Sequence, residues 1–232
     1  MPVYLLDSSI SFPDPDMAEE DGLLAIGGDL SKERLLLAYE SGIFPWYSEG
    51  YPIMWFSPDP RLIFELGGLH VSKSLMKTIK SGVFEVRFDT AFEEVMRLCA
   101  AAARKGQEGT WITGDMLEAY AGLHHEGYAH SVEVYRGDEL VGGLYGVSLG
   151  GVFFGESMFH RERDASKVAL YHLDRFLVAN GFDFIDSQVP NSHMKSLGGK
   201  EIPRDEFLSR LEKSLVKKSL RGNWQYESQL YR

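Results

Sequence analysis

The feature that most constrains this chain is a run of three strand signals joined by two glycine turns. His130–Arg136, Glu139–Ser148 and Val152–Met158 are rich in apolar and β-branched or aromatic residues, and Gly137-Asp138 and Gly150-Gly151 separate them. Glycine readily adopts the positive φ that tight hairpin turns require, so the pattern predicts an antiparallel meander. Directly after it, Ala169, Leu170, Leu173, Phe176 and Leu177 form a stripe at helical spacing over Ser166–Ala179, with Gly181 past its end. Phe182–Val189 then reads as a further strand, and a last helix is expected from Pro203 to about Leu220.

Upstream, a helix over Ser72–Lys80 stops at Gly82, and Phe84–Phe88 alternates as a strand does. Thr90-Ala91-Phe92-Glu93 has the spacing of a capping box that opens a helix running to about Arg104. Another helix is expected over Asp115–Glu126, ended by Gly127. A meander followed by a helix, a strand and a terminal helix indicates an α+β fold with a mixed, largely antiparallel sheet. The Gcn5-related N-acetyltransferase (GNAT) arrangement is the leading candidate. The first sixty residues differ, being short pieces punctuated by Gly and Pro: Ser11-Phe12-Pro13-Asp14-Pro15, Gly27-Gly28-Asp29, Gly42-Ile43-Phe44-Pro45-Trp46 and Ser57-Pro58-Asp59-Pro60. One helix fits among them, from Ser31 to Glu40, with Leu35, Leu36 and Tyr39 on its apolar face. These signals predict a small loop-rich N-terminal domain, 1–60, and a GNAT-like domain, 61–232, with the boundary between Pro58 and Arg61.

A net charge of −10 argues against non-specific nucleic-acid binding, so any such partner must meet a local basic patch. Lys73, Lys77 and Lys80 share one helix face and could be that patch or simply a solvated surface. Arg210, Lys213, Lys217 and Arg221 are similarly spaced and read as a solvated face. The single cysteine, Cys99, rules out an intramolecular disulfide framework and sits in an apolar helical pattern that suits a buried, inert thiol. The N-terminal residues lack the pattern of a targeting peptide and no apolar stretch approaches a membrane span, so the cytoplasm is expected. The seven His residues show no metal-ligand spacing, and Gly27-Gly28 lacks both the P-loop pattern and the dinucleotide fingerprint. No metal and no cofactor are implied.

Three polar residues stand out in apolar surroundings. Asp186 and Gln188 are two apart on an expected strand, which puts both side chains on one face. A carboxylate buried there needs a partner or a function; capping a neighbouring loop is the structural alternative. Glu156 lies within Phe153-Phe154-Gly155-Glu156-Ser157-Met158, where a structural salt bridge is the alternative.

Several words resemble the leucyl/phenylalanyl-tRNA–protein transferase family, in one order over nearly the whole chain. They are Asp21-Gly22-Leu23-Leu24-Ala25-Ile26-Gly27-Gly28-Asp29-Leu30, Gly42-Ile43-Phe44-Pro45-Trp46-Tyr47-Ser48, Trp55-Phe56-Ser57-Pro58-Asp59-Pro60-Arg61, Gly109-Thr110-Trp111-Ile112-Thr113, Gly155-Glu156-Ser157-Met158-Phe159 and Ile185-Asp186-Ser187-Gln188-Val189. The resemblance implies transfer of Leu, Phe or Met from aminoacyl-tRNA to the N-terminal Arg or Lys of an acceptor protein, which marks that protein for degradation by the N-end rule. It implies catalysis by Asp186 and Gln188, with Glu156 beside the incoming amine or the cationic acceptor side chain. It implies an apolar donor pocket from Leu144, Phe153, Leu170, Leu173 and Ile185, all of which would otherwise read as plain core. Family members often carry Met at the position of Leu144 and Phe at that of Leu173, so the choice between Leu and Phe stays open. Trp46 and Trp111 are the implied platforms for the terminal adenosine, and Lys73, Lys77 and Lys80 the implied contacts to tRNA phosphates.

The implied reaction is aminolysis of the ester on the terminal ribose, which needs no ATP because the donor is already activated. The nucleophile is an α-amine whose reference pKa, about 7.7 to 8.0, leaves it partly protonated near neutrality. Asp186, working through or beside Gln188, is expected to orient this amine and accept its proton, and the neighbouring ribose hydroxyl is the alternative shuttle. A CoA-dependent N-acetyltransferase is the enzymatic rival. It needs a glycine-containing pyrophosphate loop before the helix, and Met158–Ser166 has no glycine. A tRNA-binding module using only the Lys73 face leaves Glu156, Asp186 and Gln188 unexplained.

Overall fold

The computed structural model describes residues 3–102 and 110–224, and the chain forms two sheets. The first contains β1 (Tyr4–Leu6), β2 (Leu23–Gly27), β3 (Phe44–Pro45) and β4 (Met54–Phe56) in the order β1-β2-β4-β3. The sequence pattern shows only loops and one helix here. These strands span two to five residues, too short for alternation to register, and their pairings are distant, Tyr4 with Ala25 and Leu23 with Phe56. The helix is α1 (Lys32–Glu40), as the caps predict. Gly42 past its end has φ 74°, and a Cβ there would lie 2.6 Å from the Leu208 side chain, so glycine answers both the backbone and the packing.

The chain crosses to the second sheet between Phe56 and Arg61. It comprises β5 (Arg61–Glu65), β6 (Glu85–Phe88), β7 (Ala129–Arg136), β8 (Glu139–Leu149), β9 (Val152–His160), β10 (Phe184–Asp186) and β11 (Lys200–Ile202), in the order β11-β5-β10-β9-β8-β7-β6. The meander β7-β8-β9 is antiparallel, and only β9 with β10 is parallel among its ladders. The connection from β9 to β10 is α5 (Ala165–Ala179), the crossover that a parallel pair requires. The expected α+β fold with a mixed, largely antiparallel sheet is the one observed. The remaining helices are α2 (Lys73–Ser81), α3 (Phe92–Ala101), α4 (Gly114–His125), α6 (Ser192–Ser196) and α7 (Arg204–Leu215).

The core has two parts. One gathers residues of the first sheet, α1, α3, α4 and α7 with Tyr145, Phe154 and Phe184. The other gathers the apolar stripe of α5 with Val132, Leu144, Phe153 and Ile185. Tyr145 and Leu144 are neighbours on β8, as are Phe153 and Phe154 on β9, so alternation along each strand feeds the two cores.

Three expectations need correction. The Thr90–Glu93 capping box does not form: α3 starts after Ala91 without a side-chain cap, because buried Glu133 takes both the Thr90 hydroxyl at 2.9 Å and its N–H at 3.3 Å. The strand expected over Phe182–Val189 is only Phe184–Asp186, since Gln188 turns to φ 60° and donates its backbone N–H to Asp186 Oδ1 at 2.9 Å. The last helix ends at Leu215, and residues 216–224 continue as an irregular strap. Arg104, the expected end of the helix after Thr90, lies outside the described residues.

Candidate active site

The site develops where β9 and β10 part. Their ladder covers three pairs, Phe184–Val152, Ile185–Phe153 and Asp186–Phe154. A Cβ on Gly155 would still be 3.6 Å from Asp186 O, but from there β9 runs on to His160 paired with β8 alone. The opening therefore begins at residues 155 and 186.

Glu156 stands at this opening, at a β-bulge. Tyr145 pairs with Ser157 and Gly146 with Gly155, which leaves Glu156 as the extra residue on β9. Val152 and Phe154 face one core and Phe153 the other, whereas beyond the bulge Phe159 faces the first and Met158 the second. Glu156 keeps the phase of Val152 and Phe154 and so faces α1 and α4, and the inserted residue reverses the alternation only beyond it. There Tyr39 donates its hydroxyl to Glu156 Oε1 at 2.8 Å, and Gln188 donates its side-chain amide to the same oxygen at 2.8 Å. The Tyr120 hydroxyl hydrogen-bonds that of Tyr39 and lies 3.5 Å from Oε2. No cation pairs with Glu156 among the described residues. Burial pushes its carboxyl up to about 7; the hydrogen bonds from Tyr39 and Gln188 work against that rise and Asp186 adds to it. Burial also holds both tyrosine hydroxyls well above their usual range, with the Glu156 charge reinforcing it, so they act as neutral donors.

Asp186 is arranged differently. Its oxygens meet a buried guanidinium edge-on, Arg61 Nε to Oδ1 at 2.9 Å and Nη2 to Oδ2 at 2.7 Å. Both side chains are almost completely excluded from solvent, at 1% and 0% exposure. Arg61 also donates Nη1 to Gly42 O at 3.0 Å and lies between the rings of Phe44 and Phe207, at 4.9 and 4.4 Å from their centres. Asp186 therefore touches Gln188 only through the backbone N–H, and the side chain of Gln188 goes to Glu156. The two side chains do not share one strand face, because Gln188 has left the strand.

Leu144, Phe153, Leu170, Leu173 and Ile185 come together in one buried cluster from β8, β9, α5 and β10. Lys73, Lys77 and Lys80 are all exposed on α2 and outside any ion pair among the described residues. Trp46 is exposed and edges onto Phe56, while Trp111 is partly buried against the first core. A Tyr47–Thr113 hydroxyl contact of 3.1 Å ties their two segments together. The second basic stripe, read as a solvated helix face, is partly ion-paired and runs past the end of α7: Arg210 clasps Glu65 with two bonds of 2.8 Å, and Lys217 reaches Asp183 at 2.6 Å. At the start of α5, Asp164 occupies the N-cap with φ 68° and holds Lys167 at 3.1 Å. Among the described residues no group of three His, Cys, Asp or Glu side chains is arranged to hold a metal ion, and no helix is long and apolar enough to cross a membrane.

Models of two families match the chain: leucyl/phenylalanyl-tRNA protein transferase over residues 63–212, and the N-terminal domain of that transferase over residues 28–59. The chain belongs to the leucyl/phenylalanyl-tRNA–protein transferase family. It is 55% identical to such a transferase of Anaeromyxobacter sp. strain Fw109-5, over 98% of this chain and 97% of that one. It is 56% identical to another from Nitratidesulfovibrio vulgaris strain DP4, over 97% and 96%. Among solved structures, a GCN5-related N-acetyltransferase from Kribbella flavida has a TM-score of 0.40 and 12% identity, covering 72% of this chain and 59% of that one.

In this transferase the residues that sequence reasoning passed over are Arg61, Tyr39 and Tyr120. Arg61 opens the apolar run Leu62-Ile63-Phe64, and a lone cation leading a buried strand is a signal that it has a buried acid to meet. Tyr39 and Tyr120 had no such signal, because a tyrosine on an apolar helix face reads as core until its hydroxyl is given a partner.

Proposed function

We propose that the enzyme transfers Leu, Phe or Met from aminoacyl-tRNA to an N-terminal Arg or Lys, in the cytoplasm, and so commits the acceptor to N-end rule degradation. The observation that carries the chemistry is Glu156, a buried carboxyl near 7 held by neutral donors at the β9–β10 opening. A group at about 7 is closely matched to an α-amine of about 7.7 to 8.0, so a proton passes between them at little cost. Glu156 is thus the proton acceptor, and its charge attracts the cationic acceptor before transfer. The amine attacks the ester carbonyl; the tetrahedral intermediate then releases the ribose oxygen, which takes back a proton from Glu156 or from its neighbouring hydroxyl. Gln188 orients the carboxylate through its amide. Asp186, with both oxygens on Arg61, positions Gln188 through its backbone rather than meeting the amine.

Binding follows from the same opening. The donor side chain enters the cluster of Leu144, Phe153, Leu170, Leu173 and Ile185 on the α5 face, while the amine approaches from the Tyr39 face. The terminal adenosine stacks on Trp46 or Trp111, and Lys73, Lys77 and Lys80 meet tRNA phosphates. We place the boundary of a 1–60 domain at the crossing between the two sheets. The deciding experiment is transfer of labelled Leu and Phe from their tRNAs to peptides beginning with Arg, Lys or Ala. Transfer to Arg and Lys but not Ala is expected, and no transfer to any of them sinks the proposal.

A further inference from the structure

The strap after α7 carries an indole, that of Trp224, into the core. Residues 216–224 cross the far edge of the meander: Gly150 N–H donates to Ser219 Oγ at 2.9 Å, Arg221 donates to Glu126 O at 2.8 Å, and Gly222 N–H donates to Gly127 O at 3.3 Å. Gly127 permits that crossing, since a Cβ on it would lie 2.2 Å from Gly222 N. The strap then delivers Trp224 into the core beneath α5, where it is 3% exposed.

Two anchors fix the indole. Asp89, itself buried with φ 55°, accepts the Trp224 backbone N–H at 2.7 Å and holds His130 Nδ1 at 2.8 Å with the same carboxylate oxygen. The His130 ring lies flat on the indole, 3.7 Å between centres and 9° from parallel. The indole N–H is satisfied by Leu220 O at 3.0 Å. Beyond these contacts Trp224 meets Phe176 at 4.7 Å and Phe153 at 5.9 Å between ring centres.

Phe153 is one of the five residues assigned above to the donor pocket, and it has little room. A Cβ on Gly146 would lie 2.6 Å from Phe153 Cε1, so the ring already lies against the β8 backbone on one side. Trp224 bounds it on another. We infer that Trp224 is a specificity-determining positioning residue, which forms the back of the donor side-chain pocket by holding the Phe153 ring in place. The depth of the pocket then depends on the strap, latched by Asp89 and His130, as well as on the sheet and α5. This inference rests on the pocket proposed above.

The test is the ratio of kcat/KM for Phe-tRNA over Leu-tRNA, measured with the full-length enzyme and an Arg-initiated peptide. Trp224→Ala frees Phe153 to retreat, so the ratio is expected to rise by about tenfold or more, the scale on which apolar pockets discriminate side-chain size. Trp224→Phe is expected to keep the ratio within about threefold of wild type. A ratio unchanged in a folded Trp224→Ala enzyme overturns the inference and leaves Trp224 as core alone. If that variant does not fold, Trp224→Leu is judged by the same ratio. Wild type that transfers neither amino acid defeats the proposed function, and this inference with it; wild type that transfers both while the variants leave the ratio fixed defeats only the inference.

Discussion

Glu156 and Asp186 sit on neighbouring strands of one sheet, both buried, yet one meets only neutral donors and the other a guanidinium. Asp186 has both oxygens on Arg61 and is wholly buried, which closes it off from a substrate. Such a pair offsets the desolvation of both ions but becomes costly when one partner is lost. Around Glu156 the donors are a phenol and an amide, which stabilise the anion less than a cation would, so the carboxyl titrates near neutrality. The difference teaches that burial alone does not identify a catalytic acid. What distinguishes the two ends of the site is whether a permanent charge has already been supplied.

The harshest way to break the comparison is Arg61→Met. If Asp186 is a structural partner, this change strands a buried carboxylate and is expected to cost about 3 to 5 kcal/mol in urea unfolding. A loss below about 1 kcal/mol would mean the pair does not hold the strands together. Next is Glu156→Gln, which keeps the shape and an acceptor for Tyr39. Its kcat/KM is expected to fall by about 100-fold or more, with loss of the ascending limb near pH 7 expected of the wild type if Glu156 takes the proton. An unchanged limb would assign that titration to the acceptor amine or another group.

The same variant sharpens the comparison through stability. The folded-state pKa of Glu156 is raised, so the native state holds this proton more tightly than the unfolded chain does. Stability from this group is therefore fully present below the unfolded value of 4.5 and declines as pH rises toward about 7. Glu156→Gln removes that decline and is expected to be more stable than wild type at pH 8 by up to about 3 kcal/mol, with little difference at pH 4.5. A pH-independent difference between the two melting curves would contradict the burial of Glu156. The smallest effect is expected from Tyr39→Phe. It removes a donor that favours the anion, so the active limb should move to higher pH with only a several-fold loss at its plateau. A limb moving to lower pH would reverse the role given to the phenol.

Much of the seven-stranded sheet and its helices was legible because the signals are local. Gly137 and Gly150 mark the hairpins, Ser72 and Gly82 bracket α2, and the α5 stripe declares its buried face; all lie where expected. The N-terminal sheet was not legible, since strands such as Phe44–Pro45 are too short for periodicity and are defined by partners far along the chain. The capping box failed for a related reason: Thr90 has a local partner in Glu93 but a buried one in Glu133, and the buried group cannot be left unsatisfied.

The site divides along the same line. By itself the sequence determined that Glu156 and Asp186 lie in apolar strands, that the meander leads into α5, and that Met158–Ser166 holds no glycine, because composition and spacing act over one or two turns of chain. Only the tertiary structure decided that Arg61 meets Asp186 across 125 residues, and that Tyr39 meets Glu156 across 117. It also decided that a bulge reverses the alternation of β9 just beyond Glu156. Charge neutralisation and burial depend on what lies alongside in space, and that is what separates a structural carboxylate from one ready to take a proton.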